Sequence, residues 1–313
     1  MQIGQQAGQP IQAISPLARN RWGIWWKLLR PHTLTASFIP VAIGTVLALP
    51  SQHFRLDLFI IMLLASILIQ VATNIFNEYY DYKRGLDHEH SVGIGGAIVR
   101  YGVPPSKILS VAQYTTATAI LLGLYLCHES TWYLLPIGLS CAAVGYLYSG
   151  GPFPISATPF GELVSGLCMG LVIIVISFFL QTGTVTNIAI MGSISTSVLI
   201  GAILMSNNLR DLEDDKSHGR QTLAILLKRS KATYCLMGMF IFSYLWIIFL
   251  AAINILPYWS LLSFISIPKA IQASRGFQKN STPESLAPAM VATAQTNTLF
   301  GFSLILGLLF HYW

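Results

Sequence analysis

Charge is what this chain has least of. Of its 313 residues only 10% are Asp, Glu, Lys or Arg, against roughly a quarter in ordinary soluble domains. So few charges cannot coat a soluble globule of this length, which excludes a soluble enzyme, a disordered chain and a coiled coil. Cysteine is also scarce. Cys127, Cys141, Cys168 and Cys235 stand singly, without CxxC or metal-ligand spacing, and read as small apolar residues. The net charge of +6 comes with no basic run and no basic patch interleaved with aromatics, which speaks against nucleic acid as a partner. The first eighteen residues are polar and uncharged and lack the basic-then-apolar layout of a secretory leader. Residues 1–24 are therefore expected to form a flexible cytoplasmic tail ahead of a single domain at 25–313.

What the chain does have is apolar length. Hydrophobic residues make up 54% of it, and they gather into segments long enough to cross a bilayer. Nine such segments are expected, near 33–50, 57–78, 107–127, 132–149, 161–182, 187–206, 233–255, 257–272 and 291–311. The eighth is interrupted by Pro268 and Lys269. None has the short alternating pattern of a membrane barrel. The fold class is all-α, a polytopic transmembrane bundle of nine helices. With the N-terminus in the cytoplasm, seventeen of the eighteen Lys and Arg residues fall on that side, Arg55 being the exception. Such a bias sets topology and implies a multi-pass protein of the cell membrane, its lipid bilayer being a partner in its own right.

The acids are the informative residues. One loop opens with Asn77-Glu-Tyr-Tyr-Asp81, and another with Asn207-Asn208-Leu-Arg210-Asp211-Leu-Glu-Asp214-Asp215. Both contain Asn-x-x-x-Asp, and the second adds Asp215 four residues on. Residues four apart share a helix face, so each motif stacks oxygen ligands at the end of its span. The motifs follow the second and sixth spans and therefore meet the same membrane face, as a parallel duplication would place them. Facing sets of carboxylate and amide oxygens suit Mg²⁺, which keeps waters and binds phosphate beside one or two carboxylates. Lys83, Arg84, Arg210, Lys216 and Arg220 interleave with the acids, which fits a diphosphate held between metal and cations. Asn74, Asn77, Asn207 and Asn208 add weight, since amides near a bilayer are costly unless satisfied. Glu78, Glu89, Glu213 and Asp214 read as solvated neighbours.

These motifs resemble those of the UbiA superfamily of intramembrane prenyltransferases, most of all its 1,4-dihydroxy-2-naphthoate polyprenyltransferase branch. The matching stretches are Arg30-Pro31-His-Thr-Leu-Thr, NEYYDYKRGLD at 77–87, GIGGAIVRYG at 93–102, YSGGPFPISATPFGE at 148–162 and the segment from Asn207 to Leu227. Where hydroxybenzoate-type members place a further acid four residues after Asp81, this chain has Gly85 and carries the acid as Asp87, the variant of the naphthoate branch. The resemblance implies a nine-helix bundle with a chamber open sideways to lipid. It also implies Mg²⁺-dependent transfer of a polyprenyl group from a polyprenyl diphosphate to 1,4-dihydroxy-2-naphthoate with loss of CO₂, a step in menaquinone biosynthesis.

In that reading Asn77, Asp81, Asp87, Asn207, Asp211 and Asp215 hold about two Mg²⁺ ions. Asp81, Asp211 and Lys83 are the residues expected to carry catalysis. Lys83 is the first choice among the diphosphate ligands, the others being Arg84, Arg100, Arg210, Lys216 and Arg220; a topology-setting surface charge is the competing reading of Lys83. Arg30 binds a phosphate or acidic substrate, or only anchors the first span. Tyr146, Tyr148 and Glu162 are expected to wall the aromatic acceptor, unless Glu162 merely caps its helix. The loop Gly93-Ile-Gly95-Gly96 is an anion nest or a plain turn, and His32 and His218 are weak candidates for proton transfer. Competing functions are prenyl transfer to another aromatic acceptor, a membrane phosphatase or phospholipid transferase, and a cation-coupled secondary transporter. A transporter places ionisable groups near the bilayer midplane, and here the centres of the spans have none.

Overall fold

The computed structural model describes residues 21–52, 54–87 and 96–312. Most of the expected tail, Glu89 and Gly93 to Gly95 lie outside these; residues 21–24 are not tail but the start of a helix. Among the described residues the ordered secondary structure is entirely helical.

α1 (Arg21–Leu29) and α2 (Pro31–Leu47) are joined by Arg30 alone, with Pro31 at the first position of α2, where its missing N–H costs nothing. α3 (Leu56–Lys83), the short α4 (Ala97–Tyr101), α5 (Pro105–Glu129) and α6 (Leu134–Ser149) complete the first half. α7 (Gly161–Ser165) and α8 (Ile173–Thr182) flank a π-helical stretch, Gly166–Val172. α9 (Asn187–Arg210) leads into α10 (Leu212–Ser217) and α11 (Leu223–Ala252). A 3₁₀ stretch at Tyr258–Ser266, α12 (Ile267–Lys279) and α13 (Pro283–Tyr312) close the chain.

Among the described residues seven segments are long and apolar enough to span a bilayer: Thr33–Ser51, Leu56–Lys83, Pro105–Glu129, Gly161–Thr182, Asn187–Arg210, Leu223–Ala252 and Pro283–Tyr312. The expected count of nine is thus not reproduced. The fourth segment, α6, has 16 residues, about 24 Å of helix against roughly 30 Å of hydrocarbon. The eighth divides into the 3₁₀ stretch and α12. There Ala270, Ala273 and Phe277 are buried while Lys269, Arg275 and Lys279 share the helix, a two-faced pattern rather than an apolar rod.

Helices in lipid gain little from hydrophobic exclusion and associate through close packing of small residues. The π-helical stretch lies on α9 in this way: a Cβ on Gly166 or Gly170 would collide with Ser197. Gly44 of α2 meets the Ile174 carbonyl of α8 equally closely. The main core runs through α2, α8, α9, α11 and α13, with Ile39, Ile43, Ile174, Leu199, Leu236 and Phe300 almost wholly buried. A second cluster joins α1, α3, α4 and α5 through Leu28, Ile75, Ile98 and Ile108.

Arg55, the one basic residue expected on the side away from the acidic motifs, forms a network with Asp57 and Glu129. Arg55 Nη2 donates to Glu129 at 2.9 Å and Arg55 Nε to Asp57 at 2.9 Å. Gln181 of α8 bonds to both the N–H and the carbonyl of Arg55. The start of α3 and the ends of α5 and α8 are pinned together there.

Candidate active site

Both acidic motifs are helical, not loop. α3 continues to Lys83 and α9 to Arg210, so Asn77 and Asp81 lie one helical turn apart, as do Asn207 and Asp211. The break at Asp211 is slight, because the Asp215 N–H still donates to the Asp211 carbonyl at 2.8 Å. Asn207, Asp211 and Asp215 therefore keep one face across it.

The two faces meet over one cavity of about 610 Å³. Arg30, Asn77, Asp81, Asp87, Tyr148, Asn207, Arg210, Asp211, Asp215 and Arg220 all line it. Its remaining wall is largely apolar, with Met62, Leu126, Leu135, Ile173 and Ile176 far from the acids in sequence. One end is polar and charged, the rest fit for a hydrocarbon tail.

At the charged end each acid has a different environment. Asp81 Oδ1 is buried without a hydrogen-bond partner, an orphaned lone pair that costs free energy until something binds it. Asp211 is held bidentately by Arg210, at 2.7 Å from Nε and 2.6 Å from Nη2. Asp215, 4% exposed, accepts from Arg220 Nη1 at 2.7 Å. Arg220 is steadied in turn by the Ser156 hydroxyl at 3.1 Å. Burial pushes the Asp215 carboxyl above the usual carboxylate range; Arg220 opposes this, and the charges of Asp211 and Asp81 add to it. Charges of the two motifs thus act on each other across the cavity. Burial, with the Asp81 and Glu78 charges, raises Asp87 to about 7 against the pull of Arg30 and Arg100.

Arg30 reaches this end because its backbone is left-handed, φ 51°, a conformation rare for a side-chain-bearing residue. Asn74 holds the junction, its Nδ2 donating to the Leu29 carbonyl and to Thr33 Oγ1, each at 3.1 Å. Thr33 Oγ1 in turn donates to the Arg30 carbonyl at 2.9 Å. Arg30 Nε is buried with no partner.

Other expected residues are elsewhere. Lys83 is exposed at the end of α3 and does not line the cavity. Lys216 is likewise exposed and away from it. Arg100 is exposed on α4, outside the cavity wall. Arg84 is committed to structure, donating to the Ser149 carbonyl at 2.6 Å and the Gly151 carbonyl at 2.9 Å. Tyr146 bonds to the Tyr80 hydroxyl at 2.8 Å rather than facing the cavity. His218 contacts the Asp214 carbonyl on the exposed end of α10. Glu162 lies behind the wall, accepting from Asn208 Nδ2 at 2.9 Å. Asn208 does line the cavity.

Glu78 is a correction in the other direction. It is not solvated but wholly buried, accepting from the Gly96 and Ile98 N–H groups at 2.9 and 3.2 Å. It caps α4, fixing the far side of the acidic end. Residues the sequence did not single out for the site are Ser156, Thr33 and Gln70; small or neutral side chains carry no pattern of their own.

The placement of Lys83 has a direct consequence. Lys83→Met is expected to keep kcat/KM within about two- to threefold, the scale of an exposed substitution away from the cavity. Steady-state kinetics on the purified variant measure it, and a loss above tenfold would return Lys83 to the site.

The donors fit a hard cation: carboxylate and amide oxygens, with one buried carboxylate oxygen unpartnered. Among the described residues no three His, Cys, Asp or Glu side chains converge tightly enough to enclose an ion unaided. Mg²⁺ held there would have to complete its coordination with amide oxygens, water and phosphate.

Known proteins agree with this architecture. A Bacillus subtilis protein named 1,4-dihydroxy-2-naphthoate octaprenyltransferase is 51% identical over 95% of this chain and 96% of its own length. A solved UbiA homologue from Aeropyrum pernix K1 superposes with a TM-score of 0.65 at 16% identity, covering 86% of this chain and 97% of that one. Another, from Archaeoglobus fulgidus and bound to DMAPP and Mg²⁺, does so with a TM-score of 0.60 at 16% identity, over 90% of this chain and 98% of that one. With residues 37–299 matching the family as a whole, this integral membrane chain belongs to the UbiA prenyltransferase family.

Proposed function

We propose that the chain transfers a polyprenyl group from a polyprenyl diphosphate to 1,4-dihydroxy-2-naphthoate with loss of CO₂, yielding the demethylmenaquinol skeleton. The observation that carries this is the two-part cavity, acidic and cationic at one end and apolar beyond. The 51% identity to a relative named for this reaction supports the choice of acceptor. The acidic end faces the cytoplasm, as the distribution of Lys and Arg implies.

Asn77, Asp81, Asp87, Asn207, Asp211 and Asp215 would hold Mg²⁺, which, when bound, neutralises charge growing on the leaving diphosphate. Arg30 and Arg220 are the cationic ligands for the diphosphate, each with a buried Nε still unpartnered. Arg210 acts at one remove, orienting the Asp211 carboxylate. As the allylic C–O bond breaks, its electron pair leaves with the diphosphate. The ring carbon bearing the acceptor's carboxylate takes the prenyl group. CO₂ then departs, and its bonding pair restores the ring. Tyr148, with Asn208 held by Glu162, forms the polar wall nearest the acceptor.

Purified protein with Mg²⁺, polyprenyl diphosphate and dihydroxynaphthoate tests this. Mass spectrometry should show a prenylated naphthoquinone lacking the carboxylate; absence of that product with every donor length would refute the reading.

Asp87 adds a pH signature. Its folded pKa lies above the unfolded value of about 3.9. The metal-free fold then binds more protons than the unfolded chain between roughly pH 4 and 7, and loses stability as pH rises through that window. A cation at Asp87 displaces the proton. Mg²⁺ binding near pH 7 should therefore release protons, fewer as pH rises, and apparent affinity should weaken as pH falls. Calorimetry in buffers of different ionisation enthalpy measures the release, and Asp87→Asn should reduce it to the share that Asp215 contributes.

A further inference from the structure

Glycine inside a helix costs stability, so one in a membrane span calls for a reason. For most of them the reason is close packing: a Cβ at Gly44, Gly166, Gly170, Gly301 or Gly307 would strike a neighbouring helix or turn. Gly123 of α5 and Gly138 of α6 have no such reason. A Cβ at either would meet nothing within 4 Å, and both line the cavity. Gly23 and Gly238 are equally open but line no part of it, so the signal is openness on the cavity wall.

Their depths differ. Ser149, at the end of α6, accepts from Asn77 Nδ2 at 3.2 Å, which marks the level of the acidic end. Gly138 lies eleven residues before it, about 16 Å along the helix. Gly123 lies six residues before Glu129, the partner of Arg55 on the opposite membrane face, and so about 9 Å from that face. One glycine stands midway along the cavity and the other near its far end. Two independent features mark the cavity as built for a ligand. Asp81 Oδ1 is buried and unpartnered at the head, and the Ser37 hydroxyl, on a residue with no exposed surface, is unpartnered in the wall.

We infer that Gly123 and Gly138 set the longest prenyl tail the chamber accepts, by leaving open the space through which the isoprenoid chain runs. The inference rests on the polyprenyl-transfer reading above. A ten-carbon tail held at the acidic end stops short of Gly138, whereas a forty-carbon tail has to pass both glycines. A side chain at either position closes the passage to long donors and leaves short ones alone.

The test is a competition assay on purified protein in nanodiscs, with geranyl and octaprenyl diphosphates supplied together and the product ratio read by mass spectrometry. Gly138→Leu and Gly123→Leu should shift the ratio toward the short product by about tenfold or more, the scale of an overfilled cavity. A donor of intermediate length should be excluded by Gly138→Leu and still accepted by Gly123→Leu. Gly123→Ala and Gly138→Ala should keep the ratio within about twofold and unfold no more easily than wild type, since their Cβ meets nothing. An unchanged ratio in folded Leu variants, or a parallel loss of both products, overturns the inference. Thermal stabilisation by each diphosphate with Mg²⁺ is recorded alongside. If the wild type forms no product with any donor, the transfer reading fails. The glycine assignment is then decided by whether the Leu variants lose stabilisation by the long diphosphate alone.

Discussion

Asp81→Asn is expected to lower turnover by about two to three orders of magnitude, the range seen when one electrostatic partner of a developing negative charge is removed. It should do so without harming the fold. Asp81 Oδ1 has no hydrogen-bond partner to lose, and replacing a buried carboxylate by an amide removes a desolvation cost. The variant should therefore denature in mixed micelles at or above the wild-type midpoint while its kcat collapses. Asp211→Asn is a less clean probe, since it also breaks the bidentate contact with Arg210. Near-normal turnover in Asp81→Asn, measured under saturating Mg²⁺, would remove Asp81 from the metal site.

Arg220→Met should act on stability as strongly as on binding. Asp215 is buried against Arg220, with 6% and 17% of the two side chains exposed. Taking away one partner of such a pair strands the other charge and costs about 3–5 kcal/mol. The Ser156 contact that ties the loop before α7 to this arginine goes as well. Adding Asp215→Asn should restore a large part of the loss, because the stranded charge is then gone. The double variant should fold yet still bind diphosphate poorly. Mixed-micelle denaturation of the two single variants and the double supplies the coupling energy. Strict additivity would mean that the pair does not act as a unit.

The spans were legible in the sequence because bilayer length and hydropathy are strong constraints. The two that failed the criterion show its limits. α6 is apolar but short, and α12 trades apolar length for two faces. The acidic motifs were legible as a repeated spacing, and five of the six proposed metal ligands follow from that spacing alone or with Asp215's further step. Helix rotation explains why Lys83 lies off the cavity wall. Lys83 looks adjacent to Asp81 if the segment is loop. On a helix, two residues are about 200° of rotation, so the turn that aims Asp81 into the cavity carries Lys83 to the outside. Lys216, one residue past Asp215, is lost for the same reason. Glu78 was misread because its partners are backbone N–H groups of Gly96 and Ile98, remote in sequence and without a side-chain signature. Arg30 was named from the sequence and lines the cavity, but what aims it, the left-handed turn braced by Asn74 and Thr33, is a tertiary arrangement that no local pattern announces.

The central claim is that both motifs together hold a divalent metal against a diphosphate. Pulsed electron paramagnetic resonance of Mn²⁺ in place of Mg²⁺, with a prenyl diphosphate bound, tests it most directly. The expected spectrum shows coupling of Mn²⁺ to ³¹P in the wild type, and loss of that coupling in both Asp81→Asn and Asp211→Asn. Bound Mn²⁺ without phosphorus coupling, or coupling that survives in both variants, would contradict it.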